Sequence, residues 1–203
     1  MGAARGAGRC AGIASQFLTV GTNAIYAYES ACGVRVGNEA MATRDLDLLF
    51  DTRQRTQFVS TLRRIDSSLL AVLRKADPSF RVLRDQLQTA VNDDGYEVDI
   101  IRRTAKDGDP QPLRVSASED ALWAVQVSTN EKMAAGRKFQ QLIVASSGQM
   151  AHIQTLHPLN FICIKAALSF DPQRDPLKRP KDRLQAEVAQ ALWDSYLQHR
   201  EVA

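Results

Sequence analysis

The chain has 203 residues, of which 44% are hydrophobic and 24% are charged, proportions typical of an ordinary soluble globular protein with a sizeable core. Its formal net charge of +3 is too small to indicate a nucleic-acid partner by itself. No apolar run approaches the ~20 residues that a transmembrane helix needs, which argues against a membrane protein.

The cysteines and the amino terminus bear on the compartment in which the chain works. Cys10, Cys32 and Cys163 are far apart, odd in number and without CxxC spacing, which argues against a disulfide framework and a structural zinc site. We therefore predict a cytoplasmic protein. Residues 1–16 are rich in Gly and Ala but lack the continuous apolar core of a signal peptide. We expect a poorly ordered leader, or the remnant of a longer amino-terminal region.

The first predicted elements are a short strand over Phe17–Val20 and a helix over Asn23–Ala31, joined by Gly21 and Thr22. A strand, a glycine, a hydroxyl and a helix can bind a phosphate, because glycine lets the backbone approach and the first-turn N–H groups point at the anion. A Gly-Thr turn that opens a helix is more often a simple cap, so this signal alone is weak.

The run Thr43–Asp51 alternates Asp45 and Asp47 with leucines. If the run is a strand, both carboxylates share one face. Like charges held side by side on a half-buried strand repel, and a divalent cation between them relieves the repulsion. Hard oxygen ligands favour Mg²⁺. An edge strand with two acids in water explains the run equally well at this point.

The middle of the chain is predicted to form one long helix from Arg53 to Lys75, followed by a strand over Phe80–Val91. A hairpin turn at Asn92–Gly95 then leads into a strand over Tyr96–Ile101. Eight basic residues crowd this part of the chain and indicate an exposed helix face or, less often, a surface for phosphates: Arg53, Arg55, Arg63, Arg64, Arg74, Lys75, Arg81 and Arg84.

The third acid of interest is Asp99, which stands between Val98 and Ile100 on the strand over Tyr96–Ile101. An acid at this place in an otherwise apolar strand suggests a functional site. Glu97 shares a face with Asp99 and is the alternative third ligand.

The remaining elements are a strand pair at Trp123–Val127 and Leu142–Ala145, a strand over Met150–Leu156, a helix over Pro158–Phe170 and a last helix from Asp182 to about His199. Four basic residues of this region are candidate nucleotide contacts, against the alternative of ordinary surface or helix-face positions: Lys165, Arg174, Lys178 and Lys181. Three histidines are interpreted as core or capping residues: His152, His157 and His199.

Three segments together resemble the motif of the DNA polymerase β-like nucleotidyltransferase superfamily: Val20-Gly21-Thr22, Asp45-Leu46-Asp47-Leu48 and Val98-Asp99-Ile100. Within this superfamily, the sequence around Gly21–Asn23 and Ala42–Asp47 looks like that of a little-characterised bacterial nucleotidyltransferase-like domain family. The resemblance implies an α+β (mixed α/β) fold, in which a small mixed sheet is flanked by helices on one side. We expect a catalytic core over residues 17–128, and a carboxyl-terminal hairpin and helical region over 129–203 that closes the cleft.

The resemblance also implies an activity, the transfer of a nucleoside monophosphate from an NTP to an acceptor, which is RNA, a protein or a small molecule. Asp45, Asp47 and Asp99 would hold two Mg²⁺ or Mn²⁺ ions, with Asp99 also a candidate base. Gly21 and Thr22 would bind the β- and γ-phosphates.

Two other hypotheses stay open at this point. The first is a catalytically silent nucleotide- or RNA-binding module of a toxin–antitoxin-like or regulatory system. The second is an unrelated α/β protein whose acidic strand is a coincidence. The second hypothesis predicts that Asp45, Asp47 and Asp99 lie far apart.

Overall fold

The computed structural model describes residues 16–50, 55–64, 68–103, 112–116, 121–127, 136–145 and 147–200. The strands in this part of the chain are β1 (Phe17–Val20), β2 (Asp45–Phe50), β3 (Arg81–Val82), β4 (Thr89–Val91), β5 (Glu97–Arg102), β6 (Leu113–Arg114), β7 (Trp123–Gln126), β8 (Lys138–Val144) and β9 (Met150–Leu156). The α-helices are α1 (Ile25–Cys32), α2 (Asn38–Met41), α3 (Arg55–Arg64), α4 (Leu69–Ala76), α5 (Pro158–Phe170) and α6 (Arg179–Leu192).

Strands pair in both directions, so the mixed α/β class expected from the sequence is confirmed. The chain divides into two compact units. The first unit contains Met1–Leu18 and Arg44–Ala134, and the second contains Thr19–Thr43 and Ala135–Ala203.

In the first unit the strand order is β3–β4–β5–β2–β1, where β1 contributes its first two residues. β2 and β5 are parallel, whereas β4 runs antiparallel to β5. Alternate residues of β2 and β5 are apolar and pack into the core, as expected for strands with one buried face. Three aromatic rings anchor α3 on this core, with centroids 5.2 Å apart for Phe50 and Phe58, and 5.4 Å apart for Phe17 and Phe58.

In the second unit β8 and β9 form an antiparallel hairpin, and β9 pairs in parallel with β1 at Thr19 and Thr155. The Thr155 hydroxyl donates to the carbonyl oxygen of Thr19 at 2.6 Å. α5 and α6 follow the hairpin, so the expected order of a carboxyl-terminal hairpin and helices is confirmed.

Tyr28 packs α1 against the other elements of this unit. Its ring is fully buried and lies 5.6 Å from Phe139 and 5.5 Å from Phe161, centroid to centroid. Its hydroxyl donates to the carbonyl oxygen of Leu156 at 2.7 Å. These contacts are why the segment Thr19–Thr43 groups with the carboxyl-terminal part of the chain. The sequence predicts a division of the chain at one point, between residues 128 and 129. Each of the two compact units instead contains two separate segments of the chain. That the carboxyl-terminal part closes a cleft stays a prediction.

The single long helix expected from Arg53 to Lys75 is wrong. The structure has two helices, α3 and α4, and the Ser68 hydroxyl caps the second by accepting from the amide of Ala71 at 3.1 Å. The apolar spacing continues through the break, which is why the pattern indicated one helix. Residues 51–54, where the predicted helix begins, lie outside the described residues, as do residues 1–15 of the predicted leader.

Two strand predictions also need correction. The strand expected over Phe80–Val91 is two short strands, β3 and β4, separated by a turn in which the Thr89 amide donates to the carbonyl oxygen of Gln86 at 2.9 Å. The expected pairing of Trp123–Val127 with Leu142–Ala145 is wrong, because β7 pairs with β5 and β6 while β8 pairs with β9.

The last helix begins at Arg179, three residues before the expected start, and has Pro180 in its first turn. It ends at Leu192 and continues as a π-helical turn over Trp193–Leu197. None of the helices in the described ranges is long and apolar enough to span a membrane.

The Tyr28 hydroxyl yields a prediction about stability. Burial raises the pKa of Tyr28 far above its ordinary value, so the phenol keeps its proton and remains a donor. Tyr28→Phe leaves the Leu156 carbonyl without this donor, and we expect the free energy of unfolding to fall by about 1–2 kcal/mol in urea titrations. Tyr26→Phe, on the exposed side of α1, is the control. Equal effects of the two substitutions would contradict the assignment.

Candidate active site

Four carboxylates lie on one face of the parallel pair β2–β5. Asp47 is paired with Asp99, and Asp45 is paired with Glu97. Paired residues on neighbouring strands share a face, and so do residues two apart on one strand. The apolar residues between the acids pack against the core on the opposite face. The hypothesis of an unrelated α/β protein with a coincidental acidic strand predicted that Asp45, Asp47 and Asp99 would lie far apart, and this register contradicts that prediction.

The four acids are all partly buried. Neighbouring strands lie about 4.8 Å apart. Two ionised carboxylates at about that spacing repel by roughly 1–3 kcal/mol, depending on how far water screens them. The arrangement therefore favours binding of a cation, and its partial exposure gives a ligand access.

Thr89 holds the carboxylate of Asp99. It is the cross-strand partner of Asp99 on β4, is almost fully buried, and donates from Oγ1 to Asp99 Oδ1 at 2.5 Å. Asp99 therefore lies between Thr89 on one neighbouring strand and Asp47 on the other. Within the described part of the chain, Asp99 Oδ2 accepts no hydrogen bond. Thr89 was not among the residues predicted from the sequence.

With the side chains in these positions, no three acidic, histidine or cysteine residues of the described ranges converge closely enough to hold a metal ion. The donor set nevertheless fits a hard divalent cation, because every candidate ligand atom on this face is a carboxylate oxygen. The observed hydrogen bond to Thr89 occupies one oxygen of Asp99 and leaves the other available.

The Gly-Thr turn belongs to the second unit. Gly21 has a φ of 66°, a left-handed conformation that favours glycine, and opens a short 3₁₀ turn over Gly21–Ala24 that leads into α1. Strand, turn and helix thus follow one another as predicted. Thr22 is buried, and its Oγ1 accepts a hydrogen bond from Gln185 Nε2 at 3.0 Å. Gln185 was not predicted as a site residue.

Residues 7–203 match the sequence model of a family described as Nucleotidyltransferase. The chain belongs to this nucleotidyltransferase family. The resemblance inferred from the three motif segments is therefore confirmed, and family membership supports nucleotidyl transfer in general. None of the curated proteins compared matches the sequence.

One solved structure similar to this chain is that of the antibiotic-resistance factor ANT(2'')-Ia in solution. The likeness has a TM-score of 0.32 at 12% identity and covers 98% of this chain and 94% of that chain.

Lys165 and Arg174, predicted as nucleotide contacts, both bind Asp182 in the second unit. Lys165 Nζ donates to Asp182 Oδ1 at 2.7 Å, and Arg174 Nε donates to Oδ2 at 2.8 Å. Lys165 and Asp182 are both buried. These contacts tie α5 and the loop after it to α6, so the structure gives both cations a structural partner. Their contact with a nucleotide stays a prediction.

The electrostatics of Asp182 reflect these two partners. Burial acts to raise the pKa of its carboxyl, but the hydrogen bonds and positive charges of Arg174 and Lys165 outweigh burial and hold the pKa below its ordinary value of 3.8. Asp182 is therefore ionised at neutral pH, and its single negative charge is shared by the two cations.

The other two predicted basic contacts differ from each other. Lys178 is exposed just before α6. Lys181 donates from Nζ to the carbonyl oxygen of Ala42 at 2.5 Å. Both residues belong to the second unit, so Lys181 fixes the backbone at Ala42 within that unit. A nucleotide contact for either lysine stays a prediction.

Two residues of the basic cluster of residues 53–84 have local partners. Arg74 Nε donates to the carbonyl oxygen of Phe80 at 2.8 Å, and Arg81 pairs with Asp93 at 2.7 Å. Arg53 and the side chains of Arg55 and Arg64 lie outside the described parts.

His157 is buried at the start of α5, with its ring centroid 5.2 Å from that of Trp193, in agreement with a core or capping histidine. A cavity of about 630 Å³ also lies in the second unit, and no predicted site residue lines it. Its walls are Tyr26, Glu29, Ser30, Gly33, Val34, Arg35, Ile143, Val144 and Ala145.

Asp182 yields a second stability prediction. Asp182→Asn removes the negative charge that Lys165 and Arg174 both bind, and we expect the free energy of unfolding at pH 7 to fall by about 3–5 kcal/mol. The control is Glu187→Gln, which breaks the exposed Arg183–Glu187 pair of the same helix and should cost less than about 1 kcal/mol.

The pH dependence follows from the direction of the shift. A carboxyl whose folded-state pKa is lowered contributes stability that is complete above its unfolded-state pKa and is lost as the pH falls through the lower, folded-state value. The wild type should therefore lose this contribution below about pH 4, whereas Asp182→Asn should lack that step. Urea titrations between pH 2 and 7 measure it, and identical profiles would contradict the role of Asp182.

Proposed function

We propose that the protein transfers a nucleoside monophosphate from an NTP to an acceptor hydroxyl on RNA, a protein or a small molecule. The single observation that carries this proposal is the register that pairs Asp47 with Asp99 and Asp45 with Glu97, in a chain of the nucleotidyltransferase family. Family membership supports nucleotidyl transfer in general, and the paired acids support a reaction that depends on a divalent cation.

Asp45, Asp47 and Asp99 would hold the divalent cations, Mg²⁺ or Mn²⁺, through their carboxylate oxygens. When bound, these cations neutralise the triphosphate and lower the pKa of the acceptor hydroxyl. The acceptor oxygen forms a bond to the α-phosphorus, the bond from that phosphorus to the bridging oxygen breaks, and pyrophosphate leaves. Asp99 is the candidate base that takes the hydroxyl proton, because its Oδ2 accepts no hydrogen bond among the described residues while Thr89 holds its Oδ1.

The Gly-Thr turn would bind the β- and γ-phosphates. Gly21 has no Cβ, so phosphate oxygens could approach its backbone closely, and its left-handed conformation favours glycine at this position. The Thr22 hydroxyl accepts from Gln185, so its own proton is available for a phosphate oxygen. Phosphate oxygens at neutral pH are chiefly acceptors, and a turn that offers donors suits them.

A catalytically silent nucleotide- or RNA-binding module is the second candidate function. The observation that favours it is that no three carboxylates of the described ranges converge with the side chains in their present positions. The presence of all three candidate metal ligands, Asp45, Asp47 and Asp99, favours an active enzyme over a silent module. NTP binding that is independent of Mg²⁺, without transfer to any acceptor, would distinguish the module from the enzyme.

Removal of one carboxylate charge tests the proposal. We expect Asp47→Asn and Asp99→Asn each to lower transfer by about 10²-fold or more, because the lost interactions stabilise charge in the transition state. The assay follows NTPs labelled at the α-phosphate, with Mg²⁺ and a panel of RNA, protein and small-molecule acceptors. Asp94→Asn, at an exposed position of the β4–β5 turn, is the control.

Glu97→Gln separates the two candidates for the third ligand. A much smaller loss than that of Asp99→Asn supports Asp99, whereas a larger loss assigns the role to Glu97. Equal labelling by the wild type and all the acid variants would rule out the proposed reaction.

Thr89 yields a further prediction. Thr89→Val keeps the volume but removes the donor to Asp99, and we expect transfer to fall by about 10- to 100-fold with a higher half-saturating Mg²⁺ concentration. Thr89→Ser keeps the hydroxyl and should retain most of the activity. Wild-type Mg²⁺ dependence in the valine variant would show that Asp99 does not need Thr89.

A further inference from the structure

Gln185 is a fully buried residue of α6 whose amide joins two segments of the second unit. Its Nε2 donates to Thr22 Oγ1 at 3.0 Å and to the carbonyl oxygen of Ala40 at 2.8 Å. A backbone carbonyl can only accept, so the Ala40 contact fixes which end of the amide carries the N–H groups. The amide therefore acts as a donor toward Thr22.

The orientation of the amide has a consequence for the Thr22 hydroxyl. A hydroxyl has one proton, and an oxygen that accepts from Gln185 must direct that proton elsewhere. Gln185 Oε1 is buried and has no hydrogen-bond partner among the described residues. Rotation of the amide by half a turn would aim Oε1 at the carbonyl oxygen of Ala40, so the Ala40 contact opposes this rotation.

Neighbouring turns of α6 reinforce this arrangement. Lys181, one turn before Gln185, donates to the carbonyl oxygen of Ala42. Asp182 ties the same turn to α5 and its following loop through Lys165 and Arg174. Asp182 therefore anchors α6 on α5 and the loop after it. Lys181 and Gln185 bind the segment that contains Thr22, Ala40 and Ala42.

We propose that Gln185 is a positioning residue for the phosphate-binding turn, which commits the Thr22 hydroxyl to donate to a β- or γ-phosphate oxygen of the NTP. This inference rests on the proposed function, because that function gives Thr22 its phosphate contact. Gln185 itself acts only through Thr22. A glutamine that merely fills space would change stability but would not distinguish nucleotides by their number of phosphates.

The test measures binding of ATP, GTP, CTP and UTP with Mg²⁺, and of the corresponding monophosphates, by calorimetry. Gln185→Met keeps the length of the side chain and removes the donor, while Thr22→Val removes the hydroxyl at constant volume. Each should weaken binding of the preferred NTP by on the order of 10-fold and leave the monophosphate unaffected. The double variant should lose no more than either single variant, because both remove the same contact.

Three further variants complete the set. Thr22→Ser keeps the hydroxyl and should bind the NTP as the wild type does. Gln185→Glu places an acceptor opposite Thr22, so the hydroxyl turns toward it and NTP binding should fall. Gln190→Leu, on the same helix, removes only the contact with Asp194 and should leave NTP binding unchanged.

A measurement on the wild type does not depend on whether the variants fold. The side-chain amide resonances of Gln185 should shift when the NTP is added and stay in place when the monophosphate is added. Independent, multiplying effects of Gln185→Met and Thr22→Val, or an amide that responds equally to both nucleotides, would overturn the role of Gln185 while the proposed function stands. Absence of NTP binding by the wild type would overturn the proposed function and this inference with it.

Discussion

The alternation of side chains on two adjacent parallel strands is the constraint on which the candidate site depends. Burial of the apolar residues of β2 and β5 directs the intervening acids to the opposite face. The parallel register then places Asp47 against Asp99 and Asp45 against Glu97. A slip by one residue would expose the apolar residues, so the hydrophobic core specifies the register and thereby gathers the like charges. Their mutual repulsion is offset by the folding free energy of the unit, and a bound cation would relieve it.

In the second unit, directional polar contacts rather than strand register fix the positions of the candidate site residues. Two turns of α6 carry the three residues that make these contacts, Lys181, Asp182 and Gln185. Lys181 binds the backbone at Ala42, Asp182 binds two cations, and Gln185 binds Thr22 and Ala40. A buried carboxylate with two cations and a buried amide with two acceptors tolerate little displacement, because each displaced group would lose its partner in a poorly solvated environment. The Gly-Thr turn is therefore set by a helix more than 150 residues later in the chain. Polar contacts with Gln185 hold both ends of the segment Thr22–Ala40, and the packing of Tyr28 holds a residue within it.

The sequence was sufficient for features that depend on local pattern. The alternation around Asp47 and Asp99, the Gly-Thr turn before a helix and the helix over Pro158–Phe170 all follow from neighbours a few residues away. The sequence was insufficient for features that depend on contacts between residues far apart in the chain. The apolar stripe from Phe58 to Leu73 continues through a break that the cap at Ser68 makes, and the partners of β7 and β8 depend on pairing across the fold. Likewise, the sequence did not indicate that Lys165 and Arg174 bind Asp182, because the three residues come together only after folding. Thr89 and Gln185 were not predicted as site residues, and their hydrogen bonds in the folded chain are what give each of them a role.

The most direct measurement is a crystal structure with Mn²⁺ and a non-hydrolysable NTP analogue, in which anomalous scattering locates the ion independently of any assumed ligand. An anomalous peak about 2 Å from carboxylate oxygens of Asp45, Asp47 and Asp99, and in contact with the triphosphate, is the expected result. A bound triphosphate whose manganese lies away from the face shared by β2 and β5, with these carboxylates contacting only solvent, would contradict the role assigned to the paired acids.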